Sequence, residues 1–581
     1  MMQKKTRHLP MTTRLPLLII AGASLLLFAL TGCEQGKSTP SSGARARTDG
    51  SIYAGSFNKE GKAEGQGTIT YPDGRKYVGQ FVNGVKQGTG TLTFAKGAKY
   101  SGQFVNDTME GTGVMTYPNG QLYSGEFKAG QFNGKGTFHY QNAIFTGTFV
   151  NGKKEGQGVL VFADGGKHVG QFHNDLPNGQ GEVKFANGEQ YTGEFKDGKK
   201  NGQGTWVSPS GEKYSGQFEN DVFQGPGTFI FTDGSQHKGL FKNGLPEGQG
   251  TYTSSDGSKH TGLFVGGIAN GPGTHTFADG KIFKGTYKNG RLSGQGVATY
   301  PNGSHYEGEF ANDAFNGEGT FTDQTGEVYS GEWVNGVENG KGTFTYPDGE
   351  QYTGQFKDGV FNGEGGLTSA DGNKYVGQFV NGKYDGKGTM FSRDGEFYVG
   401  VWKQGKLSGP GSVTYADGSK YEGNFQDNLF NGQGSMTSAN GDRYDGLWEQ
   451  GVYQGLGTMT TASGQTYTGN WEHGVRNGQG TMTMADGSVY QGEFAKDTFN
   501  GMGTMTAADG SVYVGQWSNG LQDGRGVFTS ADGTVYEGQF AGGQFVGEQP
   551  APETPPSVPA DQPNLTEEPP NPGEEPPVAD Q

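Results

Sequence analysis

Much of what builds a globular enzyme is scarce in this chain. Hydrophobic residues make up only 31% of its 581 residues, and the one cysteine is Cys33. A single cysteine excludes an intramolecular disulfide and any cysteine-based metal site. Positive charge is also in deficit, with 44 Lys and Arg against 60 Asp and Glu and a formal net charge of -16. Phosphate binding needs clustered Lys and Arg, so nucleic acid is disfavoured as a partner, and so is broad electrostatic adhesion to anionic lipid. The nine histidines are scattered, and no nucleophile–base or metal constellation stands out. Glycine, by contrast, is in large excess at 111 residues, and aromatics are 12%. That pairing argues against a disordered polymer. It fits a chain of many tight turns and small aromatic clusters instead of one thick core.

The only long apolar run is residues 15–30, preceded by Lys4, Lys5, Arg7 and Arg14 and no acid. It is too short for a permanent membrane span and reads as a secretory signal. Directly after it, Leu30-Thr31-Gly32-Cys33 resembles the lipobox of bacterial lipoproteins. The resemblance implies that residues 1–32 are a signal peptide, and that Cys33 is acylated and becomes the mature N-terminus. It places the chain in the bacterial cell envelope, held to a membrane by N-terminal lipid. Glu34, where an Asp would signal inner-membrane retention, favours the outer membrane in a Gram-negative source. Residues 33–50 read as the lipidated cysteine and a flexible tether. Residues 549–581 hold eleven prolines and seven acids with no base, and read as a disordered acidic tail.

Between these ends lies a tandem repeat. Tyr77-Val-Gly-Gln-Phe81 recurs as Tyr100-Ser-Gly-Gln-Phe104 and Tyr123-Ser-Gly-Glu-Phe127. From Phe145 the starting aromatic returns every 23 residues as far as Tyr536; counting Tyr53 there are 22 starts. Asn83-Gly84 and Asp73-Gly74 are turn pairs of the kind that tolerate positive φ. The stretches between turns, about five to seven residues, have ordinary strand length. Alternation puts Tyr77, Gly79 and Phe81 on one face and Val78 and Gln80 on the other. Glycine between two aromatics leaves a slot for a neighbouring ring. Five of the six tryptophans, Trp333, Trp402, Trp448, Trp471 and Trp517, stand where Phe81 stands.

The pattern Tyr-x-Gly-x-Phe/Trp-x-x-Gly-x-x-x-Gly-x-Gly at this spacing resembles the MORN repeat over residues 53–548. The resemblance implies an all-β fold: an elongated, twisted, single-layer antiparallel sheet of about 22 tandem β-hairpin repeats over residues 51–548. It also implies scaffolding, self-association or membrane-associated roles. Some 44 strands at roughly 4.8 Å each would make a rod of roughly 210 Å before twist shortens it. His168, His237 and His260, with Phe145 and Phe283, replace the starting Tyr and put the apolar face of their units in doubt.

The remaining motifs read as structural. The three histidines occupy a core ring position and are expected to be ring substitutes. The turn acids Asp73, Asp164, Asp233, Asp256, Asp279 and Asp348 supply one carboxylate per turn, whereas calcium wants six to eight oxygens. The Gly-x-Gly triplets do not open a helix, which speaks against a nucleotide. A second aromatic series, nine residues after its unit's start, comprises Phe132, Phe223, Phe315, Phe361, Tyr384, Phe430, Tyr453, Phe499 and Phe545. It packs either on its own loops or as a ladder of contacts for a partner. The expectation is a non-catalytic envelope scaffold that takes no cofactor, metal or small-molecule substrate. Its partner would be another envelope protein or a second copy. Glycan binding and lipid-headgroup binding are the alternatives.

Overall fold

The computed structural model describes residues 43–548, which form 45 β-strands and no helix. The chain divides into two compact units, one ending at Val360 and the other starting at Phe361. Within each unit every strand pairs antiparallel with the strand before it, from Gly43–Ala46 to Gln351–Lys357 in the first and through to Gln544–Gly547 in the second. The all-β hairpin array expected from the sequence is what the chain forms.

The first strands show how a unit is made. They are β1 (Gly43–Ala46), β2 (Ile52–Phe57), β3 (Ala63–Thr70), β4 (Lys76–Val82), β5 (Val85–Thr93) and β6 (Lys99–Val105). Asn83 and Gly84 both take positive φ, 51° and 91°, in the two-residue turn between β4 and β5. That geometry matches strand twist and favours Asn-Gly. The wider turn from β3 to β4 closes with Gly74 N–H donating to Tyr71 O at 3.0 Å, and Gly74 again has positive φ. Where a unit carries Asn-Asp in the tight turn, the second residue's carboxylate helps hold the preceding hairpin: Lys86 N–H donates to Asp107 Oδ1 at 2.9 Å.

Two features depart from the expectation. The return strand β5 spans nine residues, longer than the stretches read from the sequence. The register jumps between Gly79 and Phe81, and Gln80 Oε1 accepts Thr89 N–H at 3.0 Å across the irregularity. Gly88, at positive φ, supplies the kink, so a segment that looks like a break is continuous strand. The second departure is at the N-terminus. The supposed tether ends in β1, which pairs Gly43 with Gly55 and Ala46 with Ile52, so the array begins before residue 51. Gly43-Ala-Arg-Ala-Arg47 occupies the register of Gly90-Thr-Leu-Thr-Phe94, but Arg45 stands where Leu92 stands and hides the apolar signal. Its guanidinium lies 4.6 Å above the Phe57 ring, which offsets the missing apolar side chain.

The core is the aromatic face. Tyr77 and Phe81 are 0% and 1% exposed, whereas Val78 between them is 46% exposed. The slot between the aromatics is filled by the unit's own tyrosine, not by a neighbour's ring. Tyr77 lies flat over Gly79 and Gly90, and any Cβ at either glycine would run into it. Its hydroxyl donates to Gln80 O at 3.0 Å, and burial pushes the phenol's pKa up to about 12. Neighbouring units enter edge-on: Tyr77 meets its own Phe81 at 5.1 Å and the next unit's Phe104 at 4.9 Å, both near perpendicular. Each such contact is worth about 1 kcal/mol beyond burial, and each side is shared by two units.

Candidate interaction surface

The residue nine positions after each starting aromatic has a definite place. Phe132 stacks on Tyr123 at 3.9 Å, Phe223 on Tyr214 at 4.0 Å and Phe315 on Tyr306 at 3.7 Å. In the second unit Tyr384, Phe430, Tyr453 and Phe499 stack on Tyr375, Tyr421, Tyr444 and Tyr490 at 3.8 to 3.9 Å. Phe361 lies 6.2 Å from Phe379, and Phe545 lies 5.7 Å from Tyr536. The series is therefore an upper tier on the core rings, mostly half-buried, with Phe223 buried. The face that a one-layer sheet leaves open is covered largely by the chain's own side chains. Cations do the same job elsewhere: the amines of Lys86, Lys154 and Lys200 sit 5.6 to 5.8 Å above the starting rings of their units.

Two units use this position differently. Leu292 and Leu407 are buried, and each drops into the glycine slot, 2.8 Å from where a Cβ on Gly285 or Gly400 would stand. The starting rings Phe283 and Tyr398 are displaced and half-buried. Tyr398 turns its hydroxyl to Glu396 Oε2 at 2.6 Å. The doubt over the apolar face at Phe283 is thus resolved by the leucine nine residues on.

His168, His237 and His260 do replace the tyrosine ring, each edge-on to two flanking aromatics, as His168 is to Phe172 and Phe195. Imidazole is too short to reach the carbonyl that tyrosine binds. The Nε2 atoms of all three, and Nδ1 of His260, have no hydrogen-bond partner. Desolvation lowers each pKa to about 4, with His275 adding repulsion at His260. Among the described residues no group of three or more His, Cys, Asp or Glu could hold a metal ion. The turn acids are committed locally. Asp73, Asp164, Asp233, Asp256, Asp279 and Asp348 each accept the backbone N–H two residues on, at 2.8 to 3.1 Å.

One buried charge pair stands apart. Lys200 Nζ meets Glu189 Oε1 at 2.7 Å, and the indole N–H of Trp206 donates to the same oxygen at 2.8 Å. Glu189→Ala would leave a buried ammonium and a buried indole donor without that acceptor, at a cost of about 3 kcal/mol. Chemical denaturation of the variant checks it.

The opposite face is the open one. Hydroxyls pair across its strands: Thr91 with Ser101 at 2.8 Å, Thr205 with Ser215 at 3.0 Å and, in the second unit, Thr458 with Thr468 at 3.0 Å. A shallow groove of about 840 Å³ runs over the first unit between Gln180 and Gln249, and one of about 580 Å³ over the second between Glu422 and Thr468. Both are floored by glycine; the first is edged by hydroxyl and amide groups with Lys238 and Leu240, the second by hydroxyl, amide and carboxylate groups with Leu456. Large aromatics are nearly absent from this face, and its exposed apolar residues are mainly aliphatic, some of them in facing pairs such as Val265 with Ile268 and Val334 with Val337.

The MORN repeat profile matches consecutive segments of this chain from 53–74 to 536–548, beginning at the same 22 residues that start the repeats. The chain belongs to the MORN-repeat family. No curated protein matches it. Solved structures that align with this MORN chain do so weakly. They include the TCP domain of Drosophila melanogaster SAS-4 in complex with a proline-rich motif (12% identity, 29% of this chain, 85% of that one, TM-score 0.18). The TCP10 domain of Danio rerio CPAP aligns at 12% identity over 46% of this chain and 99% of that one, TM-score 0.12. Virginiamycin B lyase from Staphylococcus aureus aligns at 13% identity over 49% and 88%, TM-score 0.10. Likeness at this level carries no argument about the MORN array or its activity. Cys33 lies outside the described residues.

Proposed function

We propose that this MORN-repeat chain is a non-catalytic scaffold of the bacterial cell envelope, anchored to a membrane by lipid on Cys33. The observation that carries the reading is the division of labour between the two faces. One face is largely closed by its own rings, and the other repeats the same hydroxyl and amide groups every 23 residues over shallow grooves. A periodic, open, polar surface suits extended contact with another protein better than it suits enclosing a small substrate. The lipobox-like tetrad ending at Cys33 supplies the anchor.

The test is growth with an alkyne-labelled fatty acid, followed by membrane fractionation and crosslinked capture with parent and Cys33→Ala chains. The expected result is label and membrane association in the parent alone, with a saturable envelope protein recovered only with it. Label at neither chain would overturn the anchor. Recovery of cell-wall glycan or of lipid in place of a protein would overturn the protein-scaffold reading.

A further inference from the structure

The two ends of the array are complementary halves of one strand. In the complete hairpins the return strand, nine residues long in most, has an early part that pairs near the second ring of the unit and a late part that pairs beside the starting ring. In β5 these are Val85–Lys86, opposite Val82 and Phe81, and Gly90–Thr93, opposite Gly79 to Lys76. The last strand, Gln544–Gly547, supplies only the early part: Gln544 pairs with Ala541 and Phe545 with Phe540. Among the described residues no strand lies on the outer edge of Val535–Gly538, although its inner edge is fully paired. The first strand, β1, supplies only the late part, with Gly43 in the register of Gly90.

The side chains report the same gap from both sides. Tyr53 and Tyr77 are 1% and 0% exposed, whereas Tyr536 is 43% exposed: among the described residues its unit has no glycine at the position of Gly90, and no next unit sets a ring beside it as Phe104 is set beside Tyr77. Conversely, a Cβ at Gly67, Gly90 or Gly113 would strike the starting tyrosine of its own unit, whereas at Gly43, which no starting tyrosine of this chain precedes, it would meet nothing within 4 Å. In sequence, Gln549 stands where the slot needs glycine, and Pro550 has no N–H to donate to a strand.

We infer that the C-terminal end of one copy receives β1 of a second copy, head to tail. Gly43 of the second copy pairs with Gly538 and its Arg45 with Tyr536, and its Phe57 takes the edge-on position beside Tyr536. The added contacts are those each internal unit already makes with the next, so the ladder continues across the junction. Such a heterologous contact does not close on itself and propagates into a chain of copies. Tethering at a membrane would raise the local concentration that favours it. The inference does not rest on the anchor and goes beyond the scaffold reading.

The test uses the full chain bearing Ala44→Cys and Glu537→Cys, which the junction places directly opposite each other. A short thiol–thiol crosslinker is added, and the parent, with Cys33 alone, is the control. The expected result is a ladder of dimers, trimers and higher species from the double variant, and dimers only from an equal mixture of the two single variants. Adding Gly43→Val puts a side chain where the Tyr536 ring must lie, so ladder yield falls at least about tenfold. Because that side chain meets nothing in the isolated chain, the melting temperature stays unchanged. The inference is overturned by efficient dimers from Glu537→Cys alone, by crosslinks confined to one chain, or by no crosslinks from a folded double variant. A ladder that survives Gly43→Val also overturns it.

Discussion

Gly204→Val is expected to destabilise its neighbourhood by about 4 kcal/mol and to leave distant units of the same array intact. Gly204 has extended backbone, so valine meets no φ penalty there. The penalty is in space: a Cβ would stand 2.5 to 2.6 Å from the Cε2, Cζ and Oη atoms of Tyr191, which is itself fully buried. Backbone lines the other side of the slot, so the ring has to leave. Losing it equals truncating a buried aromatic, about 3 to 5 kcal/mol, and it also forfeits the hydroxyl bond to Glu194 O at 2.8 Å. Phe195 and Phe218, both edge-on to Tyr191, lose contact with it. Hydrogen exchange read peptide by peptide checks this: protection is lost around residues 191–218 and kept in strands such as Tyr77–Val82. Uniform loss across the first unit would contradict it.

The second large effect is acid sensitivity confined to the histidine-bearing units. The folded chain holds His168, His237 and His260 neutral, with pKa near 4 in place of 6.5. The unfolded chain takes up these protons first as pH falls. The stability at stake is therefore present above about pH 6.5 and is lost on the way down to about pH 4. Two and a half pKa steps amount to about 3 kcal/mol per histidine at the acid end. Limited proteolysis at pH 7 and pH 4.5 is expected to show new cleavage between residues 168 and 287 before the tyrosine-only units around 77–127 open. His168→Tyr reverses the local effect and adds about 1 kcal/mol at neutral pH, because tyrosine reaches the carbonyl that imidazole misses. Equal opening of both regions at pH 4.5 would contradict the assignment.

The repeat, its boundaries at Tyr53 and Tyr536, the hairpin turns and the aromatic face are legible in the sequence because period-two alternation and Asn-Gly or Asp-Gly pairs are local signals. What escapes is set by three-dimensional register. The return strand looks short because Gly88 interrupts it, yet the bulge at Gly79 to Phe81 carries the ladder through. For Phe132 and its counterparts the sequence leaves open packing on their own loops or a ladder for a partner, and only the register shows that they stack on their own unit's starting ring. Leu292 and Leu407 are visible in sequence as leucines at the ninth position, but only packing reveals that they take over the slot. β1 escapes because Arg45 stands where an apolar residue is expected.

Excision of one 23-residue repeat, residues 214–236, joins Lys213 to His237 and tests the central claim most directly. If each repeat is a self-contained packing step, His237 inherits the partners of Tyr214, and Phe241 inherits the place of Phe218 against Tyr191. Native-state hydrogen exchange of the shortened chain should then show flanking strands protected within about 1 kcal/mol of the parent. Collapse of protection throughout residues 43–360 would contradict the account, because it would mean that the array folds as one indivisible core.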